Sequence, residues 1–290
     1  SRPGIKPSMS VAYKRHLSLA GIDASRLSDA ELRALVARIL EAGIHGIAFS
    51  PYLEGQEPGT HLSVEQIRDR LAILKPHVRW IRTFSCTDGN EQIPEIATQM
   101  GLKTVVGVWL DDNLEHNEVE LANAIEIARA GHANILAVGN EVLLRDELSE
   151  EQLIDYINCA RRTVPDIEVG YVDAYFKVVD HPDITAACDV LLANCYPFWE
   201  GCPAEHALPY MKDMYRRAVG VAGGKKVIIS ETGWPNIGSP TEGAIPSYRN
   251  AIKYFVDTYQ WADDDGVEIF YFSSFDEAWK VDDEGDVGAY

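Results

Sequence analysis

Hydrophobic positions along this chain gather into eight short runs, at residues 46–50, 78–84, 104–109, 135–139, 168–171, 190–194, 226–230 and 268–273. Within each run the apolar residues follow one another instead of alternating with polar ones, the pattern of strands covered on both faces in a parallel sheet. Between the runs lie stretches with apolar residues at helical spacing: 64–74, 118–130, 150–162, 210–221 and 248–261. In 118–130, for instance, Leu121, Ile125 and Ala128 share one face. Strand and helix in regular alternation, eight strands in all, predict an α/β chain folded as a (β/α)8 TIM barrel with the helices as its outer ring.

Boundary signals agree with this reading. Ser149 stands just before Glu150, Glu151 and Gln152, and Pro246 with Ser247 precedes the stretch 248–261, where helix caps are needed. The connection at 172–187 is the least regular and contains His181-Pro182, which predicts a short or broken helix. Ser28-Asp29-Ala30-Glu31 reads as a capping box opening a helix that carries Leu32, Leu35, Val36 and Ile39 ahead of the first strand. No strand precedes that helix, and little sequence follows the eighth run before Tyr290, so the extra N-terminal helix is expected to pack where an eighth outer helix would. Residues 1–27, with Pro3, Pro7, Arg2, Lys6, Lys14 and Arg15, are expected to form an N-terminal arm, and residues 28–290 a single catalytic domain without a dividing linker.

Charge narrows the partners. The 290 residues carry 26 basic and 45 acidic side chains, a formal net charge of -19 that repels nucleic acid and anionic membrane surfaces. No apolar run approaches the roughly 20 residues of a membrane-spanning helix. The acidic runs Asp111-Asp112, Asp263-Asp264-Asp265 and Asp282-Asp283-Glu284 lack calcium-loop spacing and read as solvated turns. The eight histidines are scattered without zinc spacing, so no metal site is expected. Nor is there a nucleophile elbow, a P-loop or a dinucleotide fingerprint, which leaves no cofactor to expect. Five cysteines cannot all pair: Cys195 and Cys202 could bridge within one loop, while free thiols packed as small hydrophobes are the favoured alternative.

Chemistry enters through two glutamates that close apolar runs. Glu141 ends Ile-Leu-Ala-Val-Gly-Asn-Glu at the fourth strand and Glu231 sits in Val-Ile-Ile-Ser-Glu-Thr-Gly-Trp-Pro at the seventh. Both would project from the rim where barrel enzymes hold their active sites. Two carboxyls there suit glycosidic cleavage, which needs one protonated group for the leaving oxygen and one ionised group to attack or to activate water. Asp88 and Asp173 also follow strands and are read as solvated loop carboxylates.

The pair resembles the retaining glycoside hydrolases of clan A. Longer motifs, Trp80-Ile81-Arg82-Thr83-Phe84-Ser85, Val138-Gly139-Asn140-Glu141-Val142, Ala193-Asn194-Cys195-Tyr196-Pro197-Phe198, Ile229-Ser230-Glu231-Thr232-Gly233-Trp234-Pro235 and Phe275-Asp276-Glu277-Ala278-Trp279-Lys280, make the chain similar to glycoside hydrolase family 17 over about residues 44–290. It looks closer to the microbial branch of β-1,3-glucanases and β-1,3-glucanosyltransferases. The resemblance implies Glu141 as acid/base, Glu231 as nucleophile, and Asn140 on the sugar 2-hydroxyl. It also implies Tyr196 beside the nucleophile and Glu277 and Lys280 lining the site, with Tyr52, Trp199, Trp234, Phe275 and Trp279 as candidate sugar platforms. The expected activity is retaining transfer between β-1,3-glucan chains with some hydrolysis, in an extracellular or cell-envelope setting. A strictly hydrolytic endo-β-1,3-glucanase, another clan A activity such as a β-mannanase or β-1,4-glucanase, and a non-catalytic glucan-binding barrel are the alternatives.

Overall fold

A computed structural model describes residues 21–272. The eight runs form parallel strands β1 (Ile44–Ala48), β2 (Val78–Arg82), β3 (Lys103–Val108), β4 (Ile135–Asn140), β5 (Glu168–Ala174), β6 (Leu191–Asn194), β7 (Val227–Thr232) and β8 (Ile269–Tyr271). They pair in sequence order, and β1 pairs with β8 to close the barrel. Helices lie between successive strands, so the predicted (β/α)8 architecture is present.

Two apolar layers hold it together. Val105, Ile135, Ala137, Val172, Val190, Leu192, Ile228 and Phe270 fill the barrel, with Trp80 against them. The other strand faces meet the helices, as in the cluster of Val106, Leu121, Leu136, Leu153, Ile157 and Val169. Burial on both faces is why the runs are continuous in the sequence. At Gly46 the interior leaves no room for a side chain, since a Cβ there would lie 2.5 Å from the Phe270 ring.

The outer helices begin where side chains can take their free amides. Ser28 accepts from Glu31 at the start of α1 (Asp29–Ala42), and Ser63 from Gln66 at α2 (Val64–Leu74). After the short α3 (Ile93–Gln99), Asn113 accepts from His116 and starts α4 (Leu114–Arg129) four positions ahead of the stretch read from periodicity. Ser149 and Gln152 form a reciprocal capping box on α5 (Glu150–Thr163). The irregular connection after β5 is a broken helix, α6 (Tyr175–Asp180) and α7 (Pro182–Ala187), parted at His181 by the proline. α8 (Ala207–Val221) follows β6, and α9 (Tyr248–Asp265), capped by Ser247, follows β7.

The extra helix α1 packs along α9, where Ala24 and Leu32 meet Ile252 and Val256, and Ile39 reaches the main cluster under the strands. It closes the outer ring beside the last helix. Residues 22–27, grouped with the arm in the expected division, are fastened to the same helix: the Ile22 amide donates to Asp257 at 2.7 Å and Arg249 donates to the Leu27 carbonyl.

Candidate active site

The strands that carry the two glutamates leave regular pairing where those side chains sit. Register shifts fall between Ala137 and Asn140 on β4, and around Glu231 on β7 against both neighbours. Such bulges re-aim side chains at barrel rims. Gly139 has φ 92 and Glu141 φ 55, the latter an uncommon left-handed conformation for a residue with a side chain. Glu231, placed within β7 and not after it, is 6% exposed.

Arg82, at the end of β2 and 1% exposed, is the hub. Its Nη1 donates to Glu231 Oε2 at 2.9 Å and to the Ser230 carbonyl at 3.2 Å, and its Nη2 donates to Asn140 Oδ1 at 2.8 Å. The guanidinium also lies 4.3 Å from the Phe84 ring centre. From β6, Asn194 Nδ2 donates to Glu141 Oε1 at 3.0 Å and to Glu231 Oε2 at 3.1 Å. Ser230 Oγ donates to Asn194 Oδ1 at 2.7 Å, which fixes the orientation of that amide. Tyr196 donates its hydroxyl to Glu231 Oε1 at 2.9 Å. Both oxygens of Glu231 therefore face donors, one of them cationic, an arrangement made for an anion.

Glu141 has the opposite surroundings. Burial, and next the negative charge of Glu231, push its pKa up to about 7 against the smaller opposing effect of the Asn194 hydrogen bond. Near neutral pH Glu141 can thus hold a proton beside a carboxyl whose two oxygens face hydrogen-bond donors. A single Asn194 nitrogen bonded to both limits the separation of the two oxygens it touches to the sum of its two bond lengths. Burial alone does not make such a site. Glu120, on α4 and fully buried, spends its carboxylate on the amides of Cys86 and Trp109 and on the Ser85 hydroxyl, tying together the β2 and β3 loops.

The pair opens into a cleft of about 1210 Å³, above the roughly 300–1,000 Å³ of pockets for single small ligands. Phe84, Trp109, Phe176, Trp199 and Phe272 are among the aromatic residues along it, and Arg145, beside Glu141, stacks 4.7 Å from the Trp109 ring centre. Tyr52 lines the cleft half-buried, its carbonyl accepting from Arg70. Trp199 is 44% exposed at the edge, its ring T-shaped against Phe198 at 5.2 Å. Trp234 also borders the cleft, yet it is 6% exposed, packs against Phe198 and Tyr254, and donates Nε1 to the Ile245 carbonyl. It is built into the wall and has little free face for a sugar. Phe275, Glu277, Trp279 and Lys280 lie outside the described residues.

Asp88 is exposed at the cleft, while Asp173, expected to be solvated, is fully buried and lies outside it. Arg82 and Asn194 carry no mark in the sequence reading: Arg82 falls inside the run 78–84, and only Asn194 shares with the glutamates the signal of a polar residue ending an apolar run. Among the described residues no group of three or more His, Cys, Asp or Glu is placed to hold a metal ion. All five cysteines are free, so Cys195 and Cys202 form no bridge.

Comparison with known proteins agrees with this geometry. Residues 46–290 match the BtgE/BtgC glycoside hydrolase domain family. The glucan 1,3-beta-glucosidase of Arthroderma benhamiae is 30% identical over 238 residues, 74% of this chain and 74% of that protein. The glucan 1,3-beta-glucosidase of Saccharomyces cerevisiae is 27% identical, covering 78% of this chain and 80% of its own length. The crystal structure of a glycoside hydrolase family 17 beta-1,3-glucanosyltransferase from Rhizomucor miehei superposes with a TM-score of 0.77 at 27% identity, over 86% of this chain and 92% of that one. An active-site mutant of the Rhizomucor enzyme in complex with laminaritriose matches at the same TM-score and 26% identity, with the same coverage.

Proposed function

The chain belongs to the BtgE/BtgC glycoside hydrolase family, and from that premise we propose that it cleaves β-1,3-glucan with retention of anomeric configuration, through a covalent glycosyl intermediate on Glu231. The observation that carries the mechanism is the Asn194 amide shared by the two carboxylates at 3.0 and 3.1 Å. One donor touching an oxygen of each carboxyl supports the close pair of a retaining enzyme, roughly 5–5.5 Å between carboxyls, over the roughly 6.5–9.5 Å of an inverting one. The relatives named above act on β-1,3-linked glucan by name, which supports the substrate.

The residues then divide the reaction. Glu231, oriented by Arg82, Asn194 and Tyr196, attacks the anomeric carbon while Glu141 gives its proton to the departing glycosidic oxygen. Having given up its proton, Glu141 is left a carboxylate, and esterification of Glu231 removes the negative charge that raised its pKa, so it stays ionised until it takes the proton of the incoming hydroxyl. Asn140, held by Arg82 through its carbonyl oxygen, keeps its NH2 for the 2-hydroxyl of the reacting sugar. Tyr196 remains a proton donor throughout, because burial holds its pKa well above the usual phenol range.

The incoming hydroxyl belongs in part to a second glucan, so we read the enzyme as a β-1,3-glucanosyltransferase with some hydrolysis. Support comes from the Rhizomucor relative and from the open aromatic edge at Trp199. A time course on β-1,3-glucan oligosaccharides, resolved by mass and linkage, tests this. Products longer than the substrate are expected, together with their loss on the order of 10⁴-fold or more in Glu231→Ala. Shorter products alone would make the enzyme a hydrolase, and no turnover by the wild type would favour a binding barrel.

A further inference from the structure

Asp173 is a fully buried carboxylate that lines no part of the cleft, and the reaction above does not use it. It stands two residues beyond Tyr171 near the end of β5, so both side chains leave the helix-facing side of the strand, while Val172 between them points into the barrel. A buried carboxylate is costly unless donors meet it, so its partners report what it is for. They are the Tyr171 hydroxyl, the Ala174 amide at 2.8 Å and the backbone of Leu144, with the charge of Lys177 nearby.

The Leu144 contact leads to Glu141. Arg145 N donates to the Glu141 carbonyl at 3.0 Å, closing a single helical turn immediately after β4. The first amides of such a turn have no partner inside it. Here β5 takes them in order: Glu141 N donates to the Val172 carbonyl at 2.8 Å, Leu143 N to the Tyr171 hydroxyl at 3.0 Å, and Leu144 to Asp173. Side chains from another strand do here what a capping residue does locally, and a carboxylate at that end of the turn also complements its dipole.

The turn needs such support, because it includes Glu141 at φ 55, a left-handed conformation that a residue with a side chain seldom adopts. The Tyr171 ring fills the space under Gly139, where a Cβ would stand 3.2 Å from the ring, and its hydroxyl holds the amide two residues past Glu141. Glu141 is bracketed from both sides by one tyrosine, itself held by Asp173.

We propose that Tyr171 and Asp173 are positioning residues for Glu141, a cap supplied by β5 that holds the strained turn and aims the acid/base at the glycosidic oxygen. The proposal rests on the acid/base reading of Glu141. It predicts damage confined to steps that need a proton delivered. The test compares kcat/KM for a β-1,3-glucan oligosaccharide, whose leaving sugar requires protonation, with kcat/KM for a dinitrophenyl β-laminaribioside, whose leaving group does not.

Tyr171→Phe is expected to lower the first value about tenfold or more, part of the roughly 10²–10⁴-fold that general acid catalysis supplies, and the second by no more than about twofold. Asp173→Asn should act in the same direction, and it carries the test alone if Tyr171→Phe fails to fold. Equal losses on both substrates, or no loss on the oligosaccharide, would overturn the positioning role. Glu141→Gln in the same assay separates the two claims: selective loss there without selective loss in the β5 variants sinks the cap alone. No selectivity in Glu141→Gln removes the acid/base assignment and the cap with it.

Discussion

The two ends of this barrel treat a buried ionisable group in the same way electrostatically and to different ends. Toward the N-terminal end, His45 stacks on Trp80 at 5.5 Å and meets the edge of Phe270 at 5.2 Å. Burial presses its pKa down to about 4, with the charge of Glu268 the largest effect in the other direction. Among the described residues its Nε2 has no hydrogen-bond partner, the Glu268 carboxylate standing 4.0 Å away. At the C-terminal rim, burial presses Glu141 the other way, up to about 7. In both cases desolvation favours the neutral form, a neutral base below and a protonated acid above. What differs is the company: around the histidine, aromatic rings and the carboxylate of Glu268, and around the glutamate directed side-chain donors shared with a second carboxyl at an open cleft. A shifted pKa reports burial, and only the arrangement around it identifies chemistry.

Arg82→Met should reduce kcat by about 10²–10³-fold by removing the cation that holds Glu231 and Asn140. Loss of one partner from a pair this buried should also lower stability by about 3–5 kcal/mol, read by denaturant unfolding. Full activity in that variant would show that the rim network is scaffolding, like the Glu120 network beside it.

A smaller effect separates the two ends by pH. At the rim, kcat/KM should fall above about pH 7 as Glu141 loses the proton it must donate, by about tenfold per unit once the limb is reached. A profile flat to pH 9 would contradict that role. At the other end pH should act on stability alone. The folded-state pKa of His45 lies below its unfolded value of 6.5, so the unfolded chain binds the extra proton. The resulting stability is fully present above pH 6.5 and is lost as pH falls toward 4, by up to about 3 kcal/mol. In His45→Phe that part of the acid sensitivity should vanish while kcat stays unchanged, a difference readable from thermal unfolding at pH 7 and pH 4.5.

Much of this was legible in the chain because continuous apolar runs and capped helices are local signals. The barrel, the broken helix at His181-Pro182 and the two strand-end glutamates all follow from neighbours in sequence. Arg82 does not, because its meaning lies in contacts 58 and 149 positions away, and alone it reads as a charge interrupting a strand. Asn194 ends its run as a neutral amide, and its meaning too lies in distant partners, 53 and 37 positions off. The run at 168–171 stops short of β5, which continues through Val172 and Asp173 to Ala174, because the Tyr171 hydroxyl and the Ala174 amide satisfy the Asp173 carboxyl inside the fold. α3, with 7 residues, is too short to establish a helical period in the sequence. Trp234 looked like a sugar platform from its place after Glu231, and only packing shows its ring spent on the wall.

The central claim is that Glu231 attacks the sugar and Glu141 serves it twice, first as acid and then as base. Proton NMR of the anomeric signals during the first minutes of β-1,3-glucan oligosaccharide cleavage tests it most directly, before mutarotation blurs the outcome. With Glu231 as nucleophile, the reducing ends newly released by hydrolysis are expected to appear first as the β-anomer. First appearance of the α-anomer would mean inversion, with no glycosyl intermediate on Glu231.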